Sequence, residues 1–144
     1  MSVVRVFVSF DVERDQELLQ RLHCESGRSG FTIVASSGHY SDARSARLRN
    51  RIEHVDQMIV LCGEHTKSSV SMSAELRMAQ EAKIPYLLLW GRRDSMCTKP
   101  IGAKLSDGIY NWTLPMLRYQ VACISRNARS NEETEALRRT PRSV

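Results

Sequence analysis

The chain has 144 residues, 42% apolar and 26% charged, which fits one globular domain whose core needs no metal or disulfide to fold. Its net charge of +5 comes from Lys and Arg scattered among acids, a pattern of solvated surface that argues against nucleic acid as a partner. No apolar run nears the roughly 20 residues of a membrane span, and the separated Cys24, Cys62, Cys97 and Cys123 and four histidines lack metal-ligand spacing, so a reduced, cytoplasmic protein without a metal site is expected.

The run Val3 to Phe10 is β-branched and aromatic and reads as a central parallel strand; interrupted by Arg5 and followed by charges, it does not resemble a secretory signal, and none is expected. Asp11 to Asp15 offers helix-capping carboxylates, and Leu18, Leu19 and Leu22 recur at helical spacing before Gly27 and Gly30 stop the pattern. A second strand follows at Phe31 to Ala35, then a polar loop from Ser36 to Asp42. Leu48, Ile52 and Val55 give the next helix one inward stripe, with Arg44, Arg47, Arg49 and Arg51 solvated. Met58 to Cys62 is a third buried strand, ending at Gly63.

Ser68 to Ser73 leads into a helix with Met72, Leu76, Ala79 and Ala82 along one side, closed by Pro85. Tyr86 to Trp90 is a fourth strand. Residues 91–107 form a polar, basic connection with no assignable element, Ile109 to Trp112 is a short edge strand, and Leu114, Leu117, Val121 and Ile124 mark a last helix. The polar stretch 127–144 reads as a frayed or disordered tail. Alternating strands and helices predict an α/β fold: a parallel sheet of four to five strands with helices on both faces, three layers in flavodoxin-like order.

In such sheets ligands gather at the carboxyl ends of the strands. That rule brings Ser9, Phe10 and Asp11 to the same rim as Gly63, Glu64, His65 and Thr66, with Ser36 and the loop after the second strand beside them. Residues three and four apart share a helix face, which groups Ser68, Ser71 and Glu75. Considered alone, Glu75 is an exposed helix carboxylate, His65 a surface residue, Phe10 either core or a stacking platform, and Asp11 and Asp15 are caps.

The residues from Arg5 to Asp11, followed by Asp15, resemble the opening of TIR-like domains. Ile52 to Ser69 is similar to the third-strand region of that family, and Ala74 to Ala79 with Ile84-Pro85-Tyr86 is similar to its helix with the catalytic glutamate and the strand after it. The resemblance covers Val3 to Trp90, with weaker likeness at Trp112 and the final helix, and implies a TIR-like domain over residues 1–126. It carries Glu75 over as the catalytic residue of a NAD hydrolase or cyclase in prokaryotic immune signalling, with NAD as substrate and no prosthetic group. It implies nucleotide contacts at Ser9, Phe10, Asp11, Ser36, Ser68 and Ser71, and assembly with other copies or TIR-like domains through the loop at Ser36 to Asp42.

One departure stands out: many family members have tryptophan four residues before the glutamate, where this chain has Ser71. A non-catalytic TIR-type interaction module is the competing expectation. A phosphoacceptor receiver domain of the same topology fits less well, because the third strand ends in Cys62-Gly63 instead of an aspartate.

Overall fold

Unbroken runs of β-branched and aromatic residues fold as strands covered on both faces. The computed structural model, which describes residues 3–38 and 45–124, sets five such runs side by side. They are β1 (Val4–Ser9), β2 (Phe31–Ser36), β3 (Gln57–Cys62), β4 (Tyr86–Trp90) and β5 (Ile109–Asn111). All neighbours are parallel, in the order β2-β1-β3-β4-β5. Helices α1 (Gln16–Ser26), α2 (Ser45–Glu53), α3 (Val70–Glu81) and α4 (114–124) connect and flank them. The expected α/β architecture of parallel strands between helices is the one observed.

Strand alternation divides the core in two. Val6 and Val8 of β1, Ile59 and Leu61 of β3, and Leu87 and Leu89 of β4 meet Leu18, Leu19 and Leu22 of α1 and Leu117 and Val121 of α4. Phe7, Met58, Val60 and Leu88 point the other way, onto Ile52 of α2 and Met72, Met78 and Ala79 of α3. All six residues of β3 are buried, so this strand is the spine of the sheet. Each such Leu, Ile, Val or Phe contributes roughly 1.5–3 kcal/mol on leaving water.

Two irregularities shape the carboxyl-end rim. β1 and β2 pair in step from Val4↔Phe31 to Val6↔Ile33, and then Phe7 pairs with Ala35, so Val34 is an extra residue in β2. Such a bulge exchanges the two faces of every later position on its strand. The end of α3 is the second irregularity. Lys83 takes the left-handed conformation at φ 59°, the Ile84 N–H donates to the Ala79 carbonyl at 2.9 Å, and the Lys83 N–H to that of Gln80 at 3.2 Å. This is a Schellman stop made with lysine where glycine is usual, so the helix ends before Pro85 is reached.

The unassigned connection, residues 91–107, has no regular element but is firmly tied. The Thr98 N–H donates to the Gly63 carbonyl at 2.9 Å, the Ser73 hydroxyl to the Ile101 carbonyl at 2.8 Å, and the Tyr86 hydroxyl to Asp107 at 2.5 Å. Across the molecule, Arg21 stacks 4.0 Å above the Trp112 ring while Glu25 accepts from the indole N–H at 2.9 Å, which fastens the start of α4 to α1. Among the described residues no helix is long and apolar enough to cross a membrane. The expected tail at 127–144, the domain boundary at 126, Arg44 and most of the loop reaching Asp42 lie outside the described residues.

Candidate functional site

β1 sends Phe7 and Ser9 to the face covered by α2 and α3, so the hydroxyl of Ser9 emerges under α3 at the strand's carboxyl end. The core-facing stripe of α3 carries Met72, Leu76 and Ala79, and Glu75 lies on that stripe at 2% exposure. A carboxylate placed there cannot reach water as an exposed helix residue would. The reading of Glu75 considered alone, as an exposed helix carboxylate, is thereby corrected: its side chain turns inward, the direction that the role carried over by resemblance needs.

Two hydroxyls meet it. Ser9 Oγ donates to Glu75 Oε1 at 2.7 Å and Ser37 Oγ donates to the same oxygen at 2.6 Å. Both serines are buried, at 0% and 3% exposure. Oε2 takes no hydrogen bond from the described residues. Burial pushes the Glu75 carboxyl up from its ordinary 4.5 to about 7, with the hydroxyls of Ser37 and Ser9 holding it down in part. Near neutral pH the group therefore exists in both protonation states, the range that suits general acid–base chemistry.

A separate ionic cluster lies at the start of α1, against Gly63 after β3. Asp15, 4% exposed, accepts from Arg92 Nη2 at 2.9 Å and from Nε at 3.2 Å, while Arg92 also pairs with Glu17 and donates to the Arg14 carbonyl at 2.8 Å. Burial raises the Asp15 carboxyl, and Arg92 opposes that rise. Gly63, at the end of β3, makes room for the pair, since a Cβ there would lie 2.3 Å from Asp15 Oδ2. The expected caps take other partners. Asp15 occupies the N-cap position of α1 without capping it through its side chain, because the ion pair with Arg92 claims the carboxylate.

Of the other residues expected at the rim, Asp11 is buried and closes its own turn. Its Oδ1 accepts from the Glu13 N–H at 3.1 Å and its Oδ2 from Arg14 at 3.2 Å. Phe10 belongs to the core on the α1 side, 1% exposed, so its ring offers no free face for stacking; its backbone N–H donates to Ser37 Oγ at 3.1 Å. Ser36 ends β2, buried, in register with Val8. Ser68 precedes α3 in the turn Thr66–Ser68 and is exposed, as are His65 and Ser71, the latter bonded to Ser69 at 3.3 Å. The expected grouping of Ser68 with Glu75 on one helix face fails because α3 begins only at Val70, after the Ser69 cap.

Ser37 and Arg92 carry no signal in the sequence that marks their roles. Ser37 was hidden by the bulge: without Val34 as an extra residue, Ser36 would stand beside Ser9. Arg92 lies in the connection that has no periodicity to read.

A five-stranded parallel sheet with a buried glutamate under its first strand end is an α/β fold of the kind TIR-like domains have. Among solved structures, the chain is similar to one in the crystal structure of the RPS4 and RRS1 TIR domain heterodimer, at 13% identity and a TM-score of 0.52, covering 87% of this chain and 95% of that one. That likeness is one of fold. The family model described as Thoeris protein ThsB, TIR-like domain, matches residues 7–95, more than half of the sequence, and the chain belongs to that family. A comparison with curated proteins finds no match.

Proposed function

We propose that this domain binds NAD and cleaves the N-glycosidic bond to nicotinamide, as a cytoplasmic enzyme of a signalling or antiviral defence response. The observation that carries the reading is the Glu75 carboxylate, buried at the end of β1 with both hydroxyl donors on Oε1. Oε2 remains for a hydroxyl of the nicotinamide ribose. As the bond breaks, the electron pair leaves with nicotinamide, turning a cationic pyridinium into a neutral molecule, and positive charge passes to the ribose. An ionised Glu75 stabilises that oxocarbenium-like state in a site where low dielectric strengthens the attraction. Water then adds at the ribose carbon and loses a proton, giving ADP-ribose, or a group of the same nucleotide adds and closes a ring.

Ser9 and Ser37 hold the carboxylate. Ser68 and Ser71, exposed at the start of α3, offer hydroxyls to the remainder of the nucleotide. The test is nicotinamide release from NAD by the purified chain over a range of protein concentrations, beside Glu75→Gln. The variant is expected to lose about 100-fold or more in kcat, and full turnover by it would remove Glu75 from the role.

One observation favours a second reading, a non-catalytic module that pairs with other TIR-like domains: the structural likeness is to a TIR heterodimer. Concentration-dependent self-association without NAD turnover, even when assembled, would support it. A monomer at all concentrations in light scattering would count against it.

A further inference from the structure

We propose that Ser37 is the residue that positions Glu75 for NAD cleavage, fixing one carboxylate oxygen so that the other faces the substrate. A serine hydroxyl has one proton to give and two lone pairs to receive with. At Ser37 the backbone settles both. The Phe10 N–H donates to its oxygen at 3.1 Å. The proton has two acceptors within reach: Glu75 Oε1 at 2.6 Å and the Val8 carbonyl at 3.5 Å. The Val8 carbonyl also accepts the Ser37 N–H at 2.9 Å, and the much shorter contact makes Glu75 the favoured acceptor of the hydroxyl proton.

Ser37 is thus held from both sides by β1 backbone, while the Ser9 hydroxyl has Glu75 as its single hydrogen-bond partner among the described residues. A donor locked to the sheet transmits the position of the sheet to the carboxylate of α3. With Oε1 doubly engaged, the two oxygens are no longer equivalent, and rotation of the carboxylate about its last bond would break two hydrogen bonds. Fixing the attacking or stabilising group in advance is worth most in the transition state, so the effect belongs in kcat more than in KM. Among the described residues no charged side chain competes with Ser37 in this role, since the influences on the Glu75 carboxyl are burial and these two hydroxyls, from β1 and from the end of β2.

The kinetic half of this inference rests on the proposed NAD cleavage, and the structural half does not. Two measurements on the full chain separate them. The first follows the 13C shift of the Glu75 carboxyl against pH in wild type, Ser37→Ala and Ser37→Thr. Loss of the donor is expected to raise the titration midpoint by about one pH unit in the alanine variant, with threonine holding the wild-type value. The second follows nicotinamide release, where alanine is expected to lower kcat about tenfold with KM within about twofold, and threonine to restore it.

An unmoved midpoint in Ser37→Ala overturns the proposal whether or not NAD is cleaved. A loss confined to KM in an active enzyme also overturns it. If wild type releases no nicotinamide while the midpoint moves, the NAD reading falls and the placement of the carboxylate by Ser37 stands. Should the alanine variant fail to fold, Ser37→Cys, a weak donor of similar size, is titrated in its place with the same expected rise.

Discussion

Replacing Glu75 with glutamine tests the electrostatics of the site without any substrate. Glutamine keeps the shape and an amide oxygen to accept from Ser9 and Ser37, and removes the buried charge. In wild type the folded carboxyl binds its proton more tightly than the unfolded one, about 7 against 4.5. A group with a raised folded pKa gives its full stability below the unfolded value and loses it as pH rises through the folded value. At about 1.4 kcal/mol per pH unit, the loss totals roughly 3 kcal/mol, most of which falls between pH 5 and pH 8. Other groups titrate in the same range, but they do so equally in both proteins, so the difference between them isolates Glu75. Urea denaturation at pH 5, 6, 7 and 8 reads it. The variant should match wild type within about 1 kcal/mol at pH 5 and exceed it by roughly 2–3 kcal/mol at pH 8, a midpoint difference of about 1 M urea. Curves that stay parallel across this range would show that the carboxylate is hydrated in the folded chain, and the argument from burial would fail with them.

Four other outcomes follow from the same geometry. The kcat/KM for nicotinamide release should rise with pH through about 7, because only ionised Glu75 stabilises the developing cation; a profile flat from pH 5 to 9 would oppose this. Arg92→Ala leaves the Asp15 carboxylate buried without its partner and should cost roughly 2 kcal/mol in urea denaturation at pH 7, with less cost in acid where Asp15 is protonated. Gly63→Ala places a methyl group against Asp15 and should cost roughly 2–3 kcal/mol, seen as a fall in Tm, whereas an unchanged Tm would mean that the pair moves freely. Lys83→Gly relieves a left-handed lysine at the end of α3 and should raise stability by about 1 kcal/mol, read from the urea midpoint.

The architecture was legible because its signals are local and repeated. β1, β3 and β4 are continuous apolar runs of strand length, and the stripe at Leu18, Leu19 and Leu22 has no sensible reading except a helix on a core. The inward turn of Glu75 was not legible from its own surroundings, since a glutamate one position from Leu76 can lie on either side of the helix face. Resemblance to a family supplied that expectation, and the burial gives it a physical basis. Asp15 and Arg92 are 77 residues apart, and no sequence pattern announces an ion pair across that span. The ring of Phe10 shows the same limit. Its place next to Ser9 says that it is near the rim, while its direction is set by strand alternation and by the apolar layer on the α1 side.

The extra residue at Val34 has a consequence for anyone aligning this chain with its relatives. Counted from Phe31, the glutamate's second donor is the seventh residue, where an unbroken ladder would bring the sixth beside Ser9. A relative lacking that residue would bring its counterpart of Ser37 to the same place one position earlier, and a gapless column-by-column comparison would set that residue against Ser36. Deleting Val34 would close the ladder with Ala35 still opposite Phe7 and Ser36 still opposite Val8, so Ser37 should remain the donor and the Glu75 titration midpoint should not move.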